Sequence, residues 1–117
     1  MTTESNSDCL FCRLAADDSS LVWQSETVAA FRDIHPQAPV HLLVVPKKHI
    51  PSLAEVSGTD RDLLGELLLG AAEVAQQAGL EANGYRTIIN TREHAGQAID
   101  HLHVHVLGGE PLGPLRA

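Results

Sequence analysis

Three histidines alternate with apolar residues near the C-terminus, where positions 101 to 106 are His-Leu-His-Val-His-Val. This alternation is typical of a β-strand, in which successive side chains point to opposite faces of a sheet. The apolar residues predict a face buried against a core, and the opposite face then carries three imidazoles side by side. Such a row is costly to bury uncharged and repulsive when charged. A half-exposed strand with incidental histidines is the simplest interpretation, but the row better suits metal coordination or chemistry on an anion.

Size and composition limit what this strand can belong to. The chain has 117 residues, 44% of them hydrophobic and only 3% aromatic, which predicts one domain with an aliphatic core. No apolar run approaches the roughly 20 residues that span a bilayer, and the polar, acidic N-terminus is unlike a signal peptide. We therefore expect a cytoplasmic protein without a membrane partner. A net charge of −7 argues against nucleic acid as a partner but leaves room for a small anionic ligand in a local pocket.

Hydrophobic patterning predicts five strands and two helices. The predicted strands are Leu21–Gln24, Thr27–Arg32, Val40–Val45, Tyr85–Thr91 and His101–Leu107. The predicted helices are Cys9–Ala16, with Asp8 as N-cap, and a longer amphipathic helix that starts at Thr59 and is ended by Gly79. Because strands and helices do not alternate regularly, the fold class is α+β with an antiparallel sheet. The long helix would cover one face and the histidines would lie on the other, between tails at 1–8 and 110–117 that flank a single domain at 9–109.

A row of imidazoles could work on a phosphate ester or phosphoramidate. One ring nitrogen can attack phosphorus if the other nitrogen is protonated and held by an acceptor, while neighbouring rings donate to the phosphate oxygens. His103 is flanked on both sides and is the natural nucleophile. His41, in the Val40–Val45 strand, is a further candidate donor, and an ordinary hydrogen-bonded histidine at a strand start is the competing interpretation. Gly96 and Gln97, just before the histidine strand, offer close backbone approach and a side-chain amide.

Cys9 and Cys12 form a C-x-x-C pair that suggests a metal site. Structural zinc takes four protein ligands, and without a second C-x-x-C the remaining ligands must be histidines. His49, just past a strand end, is a candidate. A thioredoxin-like redox role is the competing interpretation, and the absence of a βαβ pattern around the pair weakens it.

The ending Val106-Leu107-Gly108-Gly109 resembles the Hint branch of the histidine triad (HIT) superfamily, and four segments resemble that superfamily as a whole. They are the strand His101–Leu107, the block Phe31–Ile50, the stretch Gly84–Asn90 and the dipeptide Gly96-Gln97. The resemblance implies a homodimer and hydrolysis of purine nucleoside phosphoramidates at the α-phosphorus through a nucleotidyl-histidine intermediate. It assigns the nucleophile to His103 and the contacts to phosphate oxygens to His105 and His41. It also implies ribose binding by Asp33, base contact by Ile34, orientation of the phosphate by Asn90 and Gly96, and a place near the leaving group for Gln97.

Bacterial members with the C-x-x-C bind structural zinc, and the same resemblance implies that Cys9, Cys12, His49 and His101 are the ligands here. Three departures from the Hint pattern concern rate and leaving-group preference. Ala98 occupies a substrate-binding position where the branch usually has serine, His35 replaces a smaller polar residue, and the tail lacks an aromatic residue.

Three other functions stay open. They are hydrolysis of dinucleoside polyphosphates, a nucleotide-binding scaffold with incidental hydrolysis, and a zinc module without catalysis. The last would leave His103, His105 and Asp33 together unexplained.

Overall fold

Five antiparallel strands form one sheet in the computed structural model, which describes residues 8–115. The strands are β1 (Leu21–Gln24), β2 (Val28–Arg32), β3 (Val40–Pro46), β4 (Tyr85–Ile88) and β5 (Val104–Gly108), in the spatial order β1-β2-β3-β5-β4. The helices are α1 (Leu10–Ala15) and α2 (Arg61–Gln77). The predicted α+β class, with five strands, one long helix and one short N-terminal helix, is confirmed. The parts of the predicted tails at 1–7 and 116–117 lie outside the described residues.

The two faces of the sheet carry separate hydrophobic clusters. On one face, Leu42 and Val44 of β3 and Val104 and Val106 of β5 pack against α2. On the other face, Leu43 and Val45 belong to a cluster that includes Phe11 of α1. This division follows from the period of two in strand side chains. It confirms the prediction that the long helix covers one face and leaves the histidines on the other.

The long helix ends as its sequence predicts. Gly79 has a φ of 78°, and its N–H donates to the carbonyl of Gln76 at 3.0 Å, while the N–H of Leu80 donates to the carbonyl of Ala75, also at 3.0 Å. This is a Schellman motif, in which glycine accepts the left-handed conformation without a Cβ clash. Leu80 is buried beneath the helix end and fixes the path toward β4. Within residues 8–115 no helix is long and apolar enough to cross a membrane.

Several predicted boundaries were wrong by one to three residues. The N-cap of α1 is Cys9 rather than Asp8, because the Cys9 sulfur accepts the backbone N–H of Cys12. Strand β4 ends at Ile88 instead of Thr91. Strand β5 starts at Val104, so His101 and His103 precede it. The reason is that the N–H of Leu102 donates to Ile50 at 2.7 Å and leaves the sheet ladder.

The buried face of α2 gives a direct test of the core. Leu67 is 1% exposed, and we expect Leu67→Ala to lower the free energy of unfolding by about 2–5 kcal/mol through lost burial and a residual cavity. The matched control is Leu115→Ala, at a leucine that is 55% exposed, which should change it by less than about 1 kcal/mol. Urea denaturation of both variants measures the difference. Equal losses would show that α2 does not organise the core.

Candidate active site and metal centre

Adjacent strands bring the histidines together. In the β3–β5 pairing, Leu43 lies opposite His105 and His41 lies opposite Leu107, so the two histidines are diagonal neighbours on one face. Their rings meet with His41 Nε2 and His105 Nδ1 2.9 Å apart. The His103 ring, immediately before β5, has its centroid 5.0 Å from that of His105. The sheet thus assembles three imidazoles from two chain segments.

His103 is held in one tautomer. Its Nδ1 lies 2.7 Å from the carbonyl oxygen of His101, which can only accept, so Nδ1 carries the proton and Nε2 carries a lone pair. The Phe11 ring stands nearly perpendicular to the imidazole, with the two ring centroids 5.1 Å apart, and limits its rotation. Burial lowers the pKa of His103, an effect that outweighs the opposing His101 carbonyl and Asp33 carboxylate. A neutral, oriented imidazole with a free nitrogen is what nucleophilic attack requires.

His41 and His105 form a chain of hydrogen bonds with a fixed direction. The backbone N–H of Gln37 donates to His41 Nδ1 at 3.0 Å, so a neutral His41 carries its proton on Nε2 and donates it to His105 Nδ1. A neutral His105 then carries its own proton on Nε2. Burial, reinforced by the neighbouring His103 and His41, lowers the pKa of His105 to about 4. His105 is therefore a neutral hydrogen-bond donor at pH 7.

Asp33 lies at the edge of this group. One carboxylate oxygen is 3.3 Å from His41 Nε2, and the other accepts the backbone N–H of His35 at 2.8 Å. The ligand atoms of Asp33, His41 and His105 are close enough together to suggest a cation site. The hydrogen bonds of His41 disfavour a cation there, because its Nε2 carries a proton and has no free lone pair for a metal. Ile34, next to Asp33, is 81% exposed and makes a ready apolar surface.

The loop from Asn90 to Ala98 borders the site. Asn90 lines a cavity of about 310 Å³ together with His41 and His105. The amide oxygen of Gln97 accepts the N–H of Arg92 at 2.7 Å, and its nitrogen donates to the carbonyls of Pro51 and Ile99 at 2.7 and 2.9 Å. The Gln97 side chain thus holds the loop, instead of extending toward a leaving group. Most of the other residues of this segment are exposed, among them His94, Gly96 and Ala98.

A second cluster, which includes His101, lies beside the three imidazoles. Four side chains from three segments converge, with their ligand atoms all within 4.8 Å of one another, and these are Cys9, Cys12, His49 and His101. His101 Nδ1 is 3.3 Å from the Cys9 sulfur, 3.4 Å from the Cys12 sulfur and 3.3 Å from His49 Nδ1. The sulfur of Cys12 is also 3.3 Å from His49 Nδ1. The structure therefore brings together all four predicted metal ligands.

The chemistry of this cluster fits a tetrahedral metal. His101 Nε2 lies 2.8 Å from the carbonyl of Pro46 and carries the proton, so the lone pair of Nδ1 faces the two sulfurs. That one lone pair cannot satisfy both thiols and the nitrogen of His49, whereas a cation between them satisfies all four. Zinc with nitrogen at about 2.0 Å and sulfur at about 2.3 Å separates its ligands by about 3.3–3.8 Å. Burial lowers the pKa of His101 to about 4, which keeps the ring in the neutral form that binds metal.

Sequence reasoning missed two contributors to the site. Phe11 lies between the two cysteines, and its ring contacts those of His101 and His103 with centroids 6.2 and 5.1 Å away. The backbone N–H of Gln37 sets the tautomer of His41. Gln37 lies between Pro36 and Pro39, but a backbone donor leaves no signal in side-chain identity.

Comparison with known proteins relates most of the chain to one family. The HIT domain model matches residues 15–112. The chain is 48% identical over 99 residues to the purine nucleoside phosphoramidase of Escherichia coli K12, covering 85% of this chain and 83% of the relative. It is 40% identical over 103 residues to protein HitA of Neisseria gonorrhoeae, covering 86% and 95%.

Solved structures agree with the sequence relatives. A HIT family hydrolase from Legionella pneumophila superimposes with a TM-score of 0.83 at 42% identity, covering 90% of this chain and 99% of that one. A histidine triad protein from Clostridium difficile superimposes with a TM-score of 0.89 at 35% identity, covering 95% and 98%.

Proposed function

Because the chain belongs to the histidine triad family, we propose that it hydrolyses purine nucleoside phosphoramidates to a nucleoside monophosphate and an amine. The observation that carries the proposal is the 2.7 Å hydrogen bond from His103 Nδ1 to the His101 carbonyl. It directs the lone pair of Nε2 away from the backbone and keeps the ring in the tautomer that a nucleophile needs.

In the first step, His103 Nε2 attacks the α-phosphorus. A bond forms between nitrogen and phosphorus, the bond from phosphorus to the amine breaks, and the departing amine takes up a proton from solvent. His105, which is a neutral donor through Nε2–H, hydrogen-bonds a non-bridging oxygen as negative charge develops there. His41 supports it by donating to His105 Nδ1.

In the second step, water attacks the phosphorus of the nucleotidyl-His103 intermediate. The bond between phosphorus and His103 breaks, the monophosphate leaves, and the proton lost by water returns to solvent. The two steps together consume one water for each amine released. Covalent catalysis of this kind replaces one difficult substitution by two easier ones.

The remaining residues bind and orient the nucleotide in this proposal. Asp33 accepts hydrogen bonds from the ribose hydroxyls, and the exposed Ile34 packs against the base. Asn90 and Gly96 orient the phosphate from the loop, with Asn90 in the cavity beside His105. Gln97 holds the loop in shape through its hydrogen bonds to Arg92 and Pro51. Ala98 offers no hydroxyl to a leaving group.

We also propose that the second cluster holds zinc, with Cys9, Cys12, His49 and His101 as ligands. When bound, zinc supplies a structural crosslink and no catalytic water, since four protein ligands complete its tetrahedron. The position of the ligands indicates what such a crosslink would stabilise. Helix α1 has only six residues, and the cysteines tie it to the segment that begins the histidine row.

We propose that the chain works in the cytoplasm and forms the homodimer that the family resemblance implies, and two features support the dimer. β4 is an edge strand with Tyr85 39% exposed, and α2 presents Leu68 and Leu69 at 54% and 71% exposure. Unpaired edges and exposed leucines are typical of surfaces that a partner covers. Light scattering of the purified chain measures the mass, and a monomer would contradict the dimer.

The activity can be tested on one preparation with two substrates. We expect the chain to release AMP from an adenosine 5′-phosphoramidate of a fluorescent amine at least about tenfold faster than from a diadenosine polyphosphate at equal concentration. Faster cleavage of the polyphosphate would favour the alternative hydrolase. A chain that cleaves neither but binds AMP in calorimetry would be a nucleotide-binding protein.

A further inference from the structure

Arg92 has a backbone conformation that its side chain disfavours. With φ at 62° and ψ at −168°, it is the one non-glycine residue of segment 8–115 with positive φ. This region of backbone space is essentially reserved for glycine, because a Cβ collides there with the flanking peptides. A residue kept there against its own preference points to a function of the surrounding loop.

The strained backbone organises the loop around Gln97. The N–H of Arg92 donates to the Gln97 amide oxygen at 2.7 Å, and its carbonyl accepts the N–H groups of Ala95 and Gln97 at 3.2 and 3.1 Å. Gln97 in turn donates to Ile99, whose carbonyl also accepts the N–H of His101 at 2.8 Å. A continuous series of hydrogen bonds thus links Arg92 to the residue whose carbonyl orients His103.

The Arg92 side chain fixes the same loop from outside. Its guanidinium pairs with Glu55, which also accepts the hydroxyl of Ser52. Ser52 is 2% exposed, so the acceptor is anchored on a buried residue. Gln97 makes the second connection to this segment through the carbonyl of Pro51 at 2.7 Å.

Stability alone does not explain this arrangement. The Arg92 and Glu55 side chains are 62% and 37% exposed, and ion pairs so exposed contribute little to folding. Glycine would remove the backbone strain entirely. The arginine therefore costs the chain stability, and the compensation must lie in what the loop does.

We propose that Arg92 is a positioning residue for phosphoryl transfer. It holds the loop that carries Asn90, Gly96 and Gln97, and through Gln97 and Ile99 it steadies the His101 carbonyl behind the nucleophile. This inference rests on the proposed function of the same site. It adds that the stability lost to the strained Arg92 backbone is offset by the fixed position of the loop.

Three variants separate strain from the ion pair. Arg92→Gly removes both, whereas Arg92→Ala and Glu55→Gln remove only the pair. We expect Arg92→Gly to melt at a higher temperature than wild type and the other two slightly lower. We expect kcat for the phosphoramidate to fall about tenfold in Arg92→Gly, with KM within about twofold, because positioning affects the transition state most. The control for lost charge is Arg61→Ala, at an exposed residue of α2, which should leave kcat unchanged.

Amide hydrogen exchange provides a measurement that needs no substrate. In Arg92→Gly the N–H groups of Ala95 and Gln97 should exchange at least about tenfold faster than in wild type. If the wild type is active, unchanged exchange or an unchanged kcat in Arg92→Gly would overturn the inference. A wild type with no turnover would instead defeat the proposed function, while exchange and melting would still decide whether Arg92 holds the loop.

Discussion

His103→Ala is expected to lower phosphoramidate turnover by at least about 1000-fold, because it removes the atom that forms the covalent bond to phosphorus. The loss should appear in kcat, since the ribose and the base are proposed to bind at Asp33 and Ile34, while the His103 ring packs against Phe11, His105 and the His101 carbonyl. AMP should still bind within about tenfold of wild type. Single-turnover kinetics and calorimetry measure the two effects.

The control for that experiment is another histidine close in sequence. His94→Ala changes an exposed ring in the preceding loop and should leave turnover and AMP affinity unchanged. A His103→Ala chain that keeps more than about one tenth of wild-type turnover would show that the intermediate forms on another group. Trapping the intermediate with acid and locating it by peptide mass spectrometry would then identify that group.

Loss of one metal ligand is the second large expected effect. His49→Ala should abolish stoichiometric zinc binding and lower the melting temperature by about 10 °C, as loss of a few kcal/mol does in a domain of this size. His49 comes from the segment after β3, so its loss detaches that segment from α1. Metal analysis of protein purified without added zinc, together with calorimetric melting, measures both quantities.

The matched control is His35→Ala, which removes an exposed histidine far from both cysteines in the sequence. It should keep full zinc content and melt within about 2 °C of wild type. Cys9→Ser and Cys12→Ser should behave like His49→Ala. A wild-type chain that is purified free of metal and melts at the same temperature with and without added zinc would contradict the zinc site, whatever its activity.

Sequence pattern predicted those parts of the fold that depend on side-chain periodicity. The alternation in β3 separates Leu42 from Leu43, as the two clusters confirm, and the strand register places His41 on the face of Leu43. The end of α2 was predictable because Gly79 is required at a left-handed position. Features that depend on backbone hydrogen bonds were not predictable. The start of β5 at Val104 depends on Leu102 bonding Ile50, a partner that no local pattern names.

The candidate site also has parts that the sequence predicted and parts that it could not predict. The convergence of Cys9, Cys12, His49 and His101 was predicted from residue type and family resemblance, and the geometry brings them together. The inward hydrogen bonds of Gln97 and the strain at Arg92 are tertiary effects of one loop on another. An arginine in a loop looks ordinary until its φ is known.

The division of side chains by the sheet has a consequence for how this chain can vary. The cluster beneath α2 and the cluster beneath α1 share backbone strands but no side chain. Mutations on the α2 side can accumulate under selection for stability or assembly while the histidine side keeps its chemistry. A slip of register couples the two, because a shift of one residue in β5 would exchange His105 with the valines that form the core. Homologues should therefore tolerate substitution beneath α2 far more readily than insertion or deletion in β3 or β5.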